Sequence, residues 1–445
     1  MMGIHPVILW TDALVWLLVA GFAFALARRD SGLRKGVARL TRAPVAVASG
    51  MVLVAYLGVT LLDSLHFHPA AGDSGVVSVF DLLLRPLQRV SEKTYSAPLA
   101  DRLFVQEQVL RPDGHQQRVY PLLAIVAQQA HGHAQPAAAV WYGVLQGLGL
   151  AGASAASLLI WFRRRRAARA ALPPLAWRTA LVMWTVGCVL FAVTVQLAAS
   201  WHVFGTDKVG QDVLYQSLKS IRTDFLFGVL TTLATLPLAV GLGVAAGYFG
   251  GWIDDIIQYV YTTLNAIPGI LLIAAAVLLM QGYIEVHAAH FDSLALRADF
   301  RLLFLCAILG VTSWTGLCRL LRAETLKLRE LEYVQAARSF GVSDWRIMWR
   351  HILPNLTHLV LISVVMDFSS LVLVEAVLSY LGLGVDPSVP SWGNMINAAQ
   401  LELAREPVVW WPLTAAFSLM FVLVLSANLF ADSVREAFDP LGSRS

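Results

Sequence analysis

The stretch LTHLVLISVVMDFSSLVLVEAVLS, residues 356–379, is predominantly apolar and contains only two acidic residues, Asp367 and Glu375. About 20 apolar residues in a helix cross the hydrocarbon core of a membrane, because each residue rises about 1.5 Å. No water reaches the backbone at that depth, so a crossing segment must satisfy its own amides as a helix. The stretch therefore predicts one membrane-spanning helix.

Similar runs occur along the whole chain, at about 7–27, 43–62, 138–162, 179–199, 224–248, 258–280, 302–320 and 408–430. Only 14% of the 445 residues are charged, whereas an ordinary globular domain carries about 25%. This composition excludes a soluble enzyme, a disordered protein and a nucleic-acid module. The three cysteines lie in or beside apolar runs, which predicts buried thiols and no disulfide or zinc framework. We predict an all-α integral membrane protein with about nine spans.

The distribution of Lys and Arg predicts the orientation of these spans. An amino terminus outside and a carboxyl terminus in the cytoplasm place 28–42, 163–178, 249–257, 319–355 and 431–445 inside. These segments hold 21 of the 33 basic residues, as the positive-inside rule requires. The turn at 249–257 disagrees, because it has Asp254 and Asp255 and no base. The run Arg163–Arg166 fits a topology anchor beside anionic lipid.

Pro173–Pro174 marks a linker that divides the chain into an extension, 1–178, and a second part, 179–445. The extension has three predicted spans and an extracytoplasmic segment, 63–137, in which amphipathic interfacial helices are expected. Two histidine pairs, His66/His68 and His131/His133, fit either solvated loop residues or a metal site. We favour the loop reading, because the two members of each pair cannot share a helix face and no other ligand cluster accompanies them.

The predicted inner segment 323–355 includes EYVQAARSFGVSDWRIMWRHILPN, residues 332–355. This predicts a short amphipathic helix, a positive-φ turn at Gly341, a helix capped by Ser343, and a proline opening the next span. Trp345, Ile347 and Met348 are expected to form one apolar side of the second helix. Two interpretations fit: the element docks into a groove of a partner protein, or it lies on the membrane surface.

This segment resembles the EAA loop of permease subunits in bacterial ABC importers. Two positions depart from the motif, because Gln335 replaces its glutamate and His351 its isoleucine. Glu332, one turn earlier, is the expected substitute for the acidic contact. The resemblance implies that the segment contacts an ATPase through a set of residues comprising Glu332, Gln335, Ala336, Ala337, Gly341, Trp345, Leu353 and Pro354.

Further stretches resemble the dipeptide/oligopeptide branch of that family. GTDKVGQD, residues 205–212, is similar to its outer signature, with Gln211 where arginine is usual. LSYLGLG at 378–384, PSWGNM at 390–395 and FDP at 438–440 resemble later segments. The resemblance covers about 205–440 and leaves 1–178 unexplained. It marks as outer signature residues Gly205, Thr206, Asp207, Gly210, Asp212, Trp392, Gly393 and Asn394.

The resemblance implies a type I importer permease core of six helices in 179–445, plus about three extra amino-terminal spans. It implies a second permease subunit, two ATPase subunits, an extracytoplasmic binding protein and membrane lipid as partners, and no nucleic acid. The sequence has no Gly-x4-Gly-Lys-Ser/Thr motif, so ATP and Mg²⁺ are expected on the ATPase, with no cofactor or metal on this chain. Other cargo, such as nickel or opines, and an ion-coupled secondary transporter are the alternatives; a membrane-embedded enzyme lacks clustered ligands.

Two interpretations are open for several residues of the predicted spans and of the outer loop. Asp367 and Glu375, eight residues apart, face a transport pathway or subunit interface, or else Glu375 is hydrated near the outer end. Trp392 is a membrane-interface residue or a contact for the binding protein. Pro237 and Pro268 are expected to kink their spans, and a close helix contact is expected at Gly243 and Gly247.

Overall fold

Helices form at all nine positions where spans are predicted. The computed structural model describes residues 5–7, 9–27, 31–68, 76–88, 90–110, 116–127, 135–166, 176–287 and 293–438. The helices of its first part are α1 (Trp10–Ala27), α2 (Ser31–Leu40), α3 (Pro44–Asp63), α4 (Val79–Leu83), α5 (Arg85–Gln88), α6 (Ala124–Ala127), α7 (Pro136–Arg166) and α8 (Trp177–Ala198). The remaining helices are α9 (Val213–Phe249), α10 (Gly251–Ala266), α11 (Gly269–Val286), α12 (Leu294–Ser313), α13 (Thr315–Arg329), α14 (Glu332–Ser339), α15 (Asp344–Ile347), α16 (Leu353–Tyr380), α17 (Trp392–Gln400) and α18 (Trp411–Phe438).

Six helical stretches among the described residues are long and apolar enough to cross a membrane. They are α3, α8, α9, α11, the continuous stretch Asp344–Tyr380 and α18. The count of nine spans and the direction of the termini stay predictions.

Two of the predicted spans are each divided between two helices, 258–280 between α10 and α11 and 302–320 between α12 and α13. The predicted span 258–280 breaks at Ile267, which has extended backbone angles, φ −88° and ψ 129°. A residue that precedes proline is disfavoured in the α region, and Pro268 follows Ile267. The expected kink at Pro268 is therefore a complete break between α10 and α11. At Pro237, by contrast, α9 continues without interruption.

Four short antiparallel strands lie between α3 and α7 among the described residues, and a further strand, β1, precedes α1. They are β1 (His5–Val7), β2 (His66–His68), β3 (Val77–Ser78), β4 (Glu107–Leu110) and β5 (Gln116–Val119), paired in the order β1-β2-β3 and as β4-β5. The same segment contains the short helices α4, α5 and α6, and the expectation of amphipathic interfacial helices here stays a prediction. Side chains at 118, 120 and 122 are exposed and Leu123 is buried, which is the alternation of an extended chain.

The contacts within the chain define two compact units, each made of several segments. The first unit comprises residues 1–7, 37–223 and 390–426, and the second comprises 8–36, 224–389 and 427–445. The division of the sequence into an extension and a permease part at 178/179 stays a prediction.

In the first unit, α7 and α8 form a closely packed antiparallel hairpin. Added Cβ atoms at Gly143 and Gly147 would lie 2.6 and 2.5 Å from the backbones of Val193 and Val189. Hydrogen bonds between side chains, such as Trp184 Nε1 to Ser154 Oγ at 2.8 Å, join the two helices. The glycines allow close approach, and the polar pairs hold the helices in register.

The core of the second unit lies among α9, α10, α13, α14 and α16. Gly243 and Gly247 pack against α13, where added Cβ atoms would lie 2.8 Å from the Cys318 carbonyl oxygen and 2.5 Å from Thr325 Cβ. The expected helix contact at these glycines is confirmed. The buried apolar members of this core include Ala239, Val244, Ile257, Leu317, Cys318, Leu321, Val334, Ile347 and Ile352.

An ion pair inside this unit accounts for the turn that lacks a base. Arg322 donates two hydrogen bonds to Asp254, including one from Nη2 to Oδ2 at 2.6 Å. The hydrogen bond to Arg322 holds the pKa of Asp254 below its usual range. The acidic residue of the turn is thus compensated by a base that follows about 70 residues later in the sequence.

Candidate functional site

The loop from α14 to α16 lies wholly in the second unit and begins with a tight turn at Gly341. This glycine has φ +71°, in the left-handed region that side chains resist. The Gly341 amide donates to the Arg338 carbonyl at 3.0 Å, and the Val342 amide donates to the Ala337 carbonyl at 3.1 Å. These bonds satisfy carbonyls at the end of α14, so the predicted positive-φ turn is confirmed.

The second helix of the loop runs directly into the span. α15 passes through a π-helical turn, Met348–Ile352, into α16, and the Leu353 amide donates to the Met348 carbonyl. Pro354 lies in the first turn of α16, as predicted. It has no amide proton for the carbonyl of Arg350, one turn earlier, which lies in the wider turn. The predicted second helix is therefore present as α15, and it continues into the span without a break.

Ser343 occupies the position before α15, but its hydroxyl makes no capping bond. The expectation that it caps this helix by its side chain is wrong. Support comes instead from α9, because the Tyr248 hydroxyl donates to Asp344 Oδ1 at 2.6 Å. At the other end of the loop, Asn355 Nδ2 donates to the Tyr333 hydroxyl at 2.9 Å. Both anchors join residues far apart in sequence.

The apolar side chains of the loop point in two directions. Ile347 and Met348 are buried in the core of the second unit, while Trp345 is 67% exposed and stacks edge-on with Trp349. The expectation of a single apolar side including Trp345 is therefore wrong. Phe340, beside the Gly341 turn, is 87% exposed. The aromatic side chains of Phe340 and Trp345 are thus exposed, while Ile347 and Met348 pack in the core and fix the loop.

The motif positions themselves differ in exposure. Ala336 is exposed, whereas Ala337 packs partly buried against the core of the unit. Gln335 is exposed and donates from Nε2 to the Glu330 carbonyl at 3.2 Å. Glu332 is exposed on the first turn of α14. Leu353 is partly buried and Pro354 exposed. The role of this set toward a partner stays a prediction.

The two acidic residues of α16 have different surroundings. Glu375 is fully buried and accepts a hydrogen bond from Ser379 Oγ at 2.6 Å, so the alternative of a hydrated Glu375 is wrong. Asp367 is half-buried. A place in the pathway or at a subunit interface stays a prediction for both.

The outer signature, 205–212, is a compact loop of the first unit. Gly205 and Gly210 have φ +70° and +76°, and each lies against the segment that follows α5. An added Cβ at Gly205 would lie 2.2 Å from the Ser96 carbonyl oxygen, and one at Gly210 would lie 1.8 Å from that of Glu92. Only glycine fits at these two positions.

Polar side chains of the signature are bonded within this unit. Thr206 Oγ1 donates to the Thr94 carbonyl at 2.9 Å, and Asp207 Oδ1 accepts the amides of Val209 and Gln211 at 3.0 and 2.8 Å. Asp212 Oδ1 accepts the Tyr215 amide at 3.0 Å in the first turn of α9. Gln211 is exposed and accepts from Gln216 at 3.1 Å, so its departure from the motif disturbs none of these bonds.

A buried acid–histidine–acid cluster lies beneath this loop. His202 Nδ1 lies 2.6 Å from Asp212 Oδ2, and His202 Nε2 lies 3.5 Å from Glu92 Oε1. Burial lowers the pKa of His202, but its hydrogen bond to Asp212 and the nearby carboxylate of Glu92 outweigh this and raise the pKa to about 9. Glu92 also accepts the amides of Ala124 and Ile125 at 2.8 and 3.0 Å. A protonated His202 thus links the segment after α5 to the start of α9.

Trp392 is fully buried, and its indole donates to the Ser217 carbonyl at 3.0 Å. Its ring meets Tyr56 of α3 edge-on at 6.2 Å. Both readings of Trp392, membrane-interface residue and binding-protein contact, are therefore wrong. Gly393 is buried beside it, and the Asn394 amide donates to Ser391 Oγ at 3.0 Å, which caps α17. The packing partner on α3 gives no signal in the sequence around Trp392.

Some predicted features fall outside the described residues, namely His131, His133, Pro173–Pro174, Asp439 and Pro440. Side chains of Arg163–Arg166 are not described either. Within the described part of the chain, no group of three or more His, Cys, Asp or Glu side chains is placed to hold a metal ion.

Comparison with known proteins identifies the family. A family model described as the binding-protein-dependent transport system inner membrane component matches residues 239–441. The glutathione transport system permease protein of Pectobacterium atrosepticum is 34% identical over 244 residues, which are 54% of this chain and 73% of that protein. The oligopeptide transport system permease protein of Mycobacterium tuberculosis is 30% identical over 293 residues, 66% of this chain and 90% of its own. The dipeptide transport system permease protein of Lactococcus lactis is 29% identical over 243 residues, covering 54% of this chain and 64% of the relative. The chain therefore belongs to the family of binding-protein-dependent transport system inner membrane components, the permease subunits of ABC importers.

Proposed function

We propose that this chain is the permease subunit of an ATP-driven importer that moves di- or oligopeptides across the bacterial cytoplasmic membrane. The observation that carries the proposal is the loop between α14 and α16. Phe340 and Trp345 of this loop are exposed, whereas its residues Val334, Ile347 and Ile352 are buried and hold it in place. Exposed aromatic groups on a rigid support are typical of a protein interface.

In this proposal the loop binds an ATPase subunit on the cytoplasmic side. The chain spans the membrane about nine times, with its amino terminus outside and its carboxyl terminus inside. A second permease subunit, two ATPase subunits and an extracytoplasmic binding protein complete the complex. ATP and Mg²⁺ bind to the ATPase subunits, and the present chain carries neither catalysis nor a cofactor.

Coupling follows from how the loop is attached. Tyr248 ties it to the end of α9, and α15 continues into α16 through the π-helical turn. A displacement of the exposed aromatics by the ATPase is therefore passed to two long apolar helices as a rigid-body movement. We propose that this movement exchanges outward and inward access of the pathway.

The names of the relatives support peptides as cargo, since those relatives are called glutathione, oligopeptide and dipeptide permease proteins. Nickel or an opine remains the alternative cargo for the same machinery. An ion-coupled secondary transporter is disfavoured by membership in a family of binding-protein-dependent permeases.

The function is tested in a complex of the tagged chain with its second permease and ATPase subunits. We expect at least tenfold less ATPase subunit to co-purify with the tagged Trp345→Asp variant than with the wild-type chain. The reason is that a carboxylate buried at the interface costs several kcal/mol unless it is paired. A matched control, Trp410→Asp, changes an exposed tryptophan before α18 and should stay within twofold. Transport of a labelled dipeptide, Ni²⁺ or an opine into vesicles then separates the cargo classes. Equal ATPase retention by both variants would contradict the docking role.

A further inference from the structure

Little of the outer signature loop, residues 205–212, is exposed for contact with a partner. Its glycines lie against the backbone of residues 92–97, and Thr206 is fully buried. The indole of Trp411 donates inward to the Thr206 carbonyl at 3.0 Å. Lys208, Val209 and Gln211 are the exposed residues of the loop. The larger surface next to it is formed by the outer segment, defined here as the described residues 76–88, 90–110 and 116–127.

The outer segment is fixed to the start of α9 by buried charges. Lys219 Nζ lies 2.6 Å from both Asp63 and Asp81, and the Tyr215 hydroxyl donates to Asp81 at 2.9 Å. The Glu92, His202 and Asp212 cluster described above provides a second attachment. Buried ion pairs that are also hydrogen-bonded are held in a defined geometry. The outer segment therefore presents a rigid surface and not a mobile arm.

One face of the outer segment is apolar at its centre and basic at its sides. Arg118, Tyr120 and Leu122 alternate outward along the chain, and Leu122 is bridged to Arg102 of the neighbouring stretch. Tyr120 is 45% and Leu122 55% exposed. Leu103, Leu123 and Val126 form the buried cluster of this segment. We call Arg102, Arg118, Tyr120 and Leu122 the Tyr120 face.

The basic side chains of this face define the charge that a complementary partner must carry. Among the described residues, neither Arg102 nor Arg118 forms a hydrogen bond or an ion pair. A partner with an apolar patch and acidic side chains around it would complement both features, since charged rims set specificity and association rate. Contact with anionic lipid fits less well, because the exposed Asp101 precedes Arg102 and the exposed Gln116 and Gln117 continue the strand.

We propose that the Tyr120 face is the surface on which the extracytoplasmic binding protein docks, through an apolar patch with an acidic rim. The inference rests on the proposed function, because a binding protein meets this face only if the outer segment lies outside the cytoplasm. The family, named for its dependence on a binding protein, supplies the class of partner. The additional residues between α3 and α9 thus become part of substrate delivery.

The test measures the affinity of a purified binding protein for the complete complex in nanodiscs. The probe is the binding protein that stimulates ATP hydrolysis by the wild-type complex. We expect Leu122→Asp and Arg102→Glu each to weaken binding at least tenfold. The matched controls are Leu83→Asp and Arg85→Glu, which change exposed residues of α4 and α5 and should stay within twofold. Hydrolysis without the binding protein should remain at the wild-type level in all four variants, which reports intact folding.

Unchanged affinity in Leu122→Asp and Arg102→Glu would overturn the proposal. Quenching of a Tyr120→Trp variant by brominated lipids would assign the face to the membrane and would overturn it equally. Should no binding protein stimulate the wild-type complex, the proposed function itself would fail, which is a distinct result from normal stimulation with unchanged variants.

Discussion

Replacing Lys219 with methionine is expected to lower the free energy of unfolding by about 3–5 kcal/mol, because two buried carboxylates lose their base. Lys219 Nζ lies 2.6 Å from Asp63 Oδ1 and 2.6 Å from Asp81 Oδ1. Asp63 is almost fully buried, so water cannot replace the ammonium group. The midpoint of thermal unfolding of the purified chain in detergent measures the loss.

The matched control is the same substitution at Lys93, which pairs with Glu107 on the surface at 3.0 Å. Exposed pairs contribute about 0–1 kcal/mol, so Lys93→Met should leave the midpoint nearly unchanged. Adding Asp63→Asn to Lys219→Met should recover part of the loss, because one of the two unpaired charges is removed. A loss in Lys219→Met no larger than in Lys93→Met would show that the cluster does not hold α3 to α9.

Replacing Gly341 with valine is expected to reduce substrate-stimulated ATP hydrolysis in the assembled complex at least tenfold. No atom lies within 4 Å of the position of an added Cβ, so the side chain itself has room. The obstacle is the backbone, because φ is +71° and a β-branched residue strongly disfavours this region. Leaving the left-handed region costs the turn bonds to Arg338 and Ala337 and moves the exposed aromatics that follow.

Gly382, at the far end of α16, has φ +76° and equally open surroundings. Gly382→Val therefore carries a similar backbone strain, of about 1–2 kcal/mol, and serves as the control for strain without loss of the loop. Gly341→Asn should retain most of the coupling, because asparagine tolerates the left-handed region. Equal effects of valine at 341 and 382 would contradict a specific role of the Gly341 turn.

Helix positions follow well from the sequence, because apolar length alone determines where a backbone can satisfy itself in a membrane. The predicted stretch 356–379 corresponds to α16, and 43–62 corresponds to α3. Breaks within a helix depend on backbone angles that apolar length does not determine. Pro268 was expected to kink a helix, but Ile267 before it adopts extended angles and ends α10.

The turn at Gly341 was also predictable, since a glycine between two helical patterns has few structural alternatives. The exposure of Trp345 follows from helix geometry, because Trp345 and Ile347 are two residues apart and so lie about 200° apart around the helix axis. A π-helical turn then joins α15 to α16. Local sequence does not reveal such a turn. The continuation of α15 into α16 therefore could only be seen in the structure.

The largest errors concern residues whose partners are distant in the chain. Its residue type and loop position predict a surface location for Trp392, whereas contacts with Ser217 and Tyr56 bury it. Lys219 and His202 gave no signal as members of ionic clusters, because their acidic partners Asp63 and Glu92 lie more than 100 residues earlier. Periodicity and motif spacing report local structure, and these contacts are long-range.

The side of the membrane on which the Gly341 loop lies is the central claim, and labelling a single cysteine tests it most directly. Trp345→Cys, in a background where Cys188, Cys306 and Cys318 are replaced by alanine, puts a thiol at an exposed position of the loop. With the chain expressed without its ATPase subunits, we predict no reaction with a membrane-impermeant maleimide in intact spheroplasts and full reaction in inside-out vesicles, with Leu122→Cys showing the reverse. Labelling of the residue 345 thiol in intact spheroplasts would contradict the account.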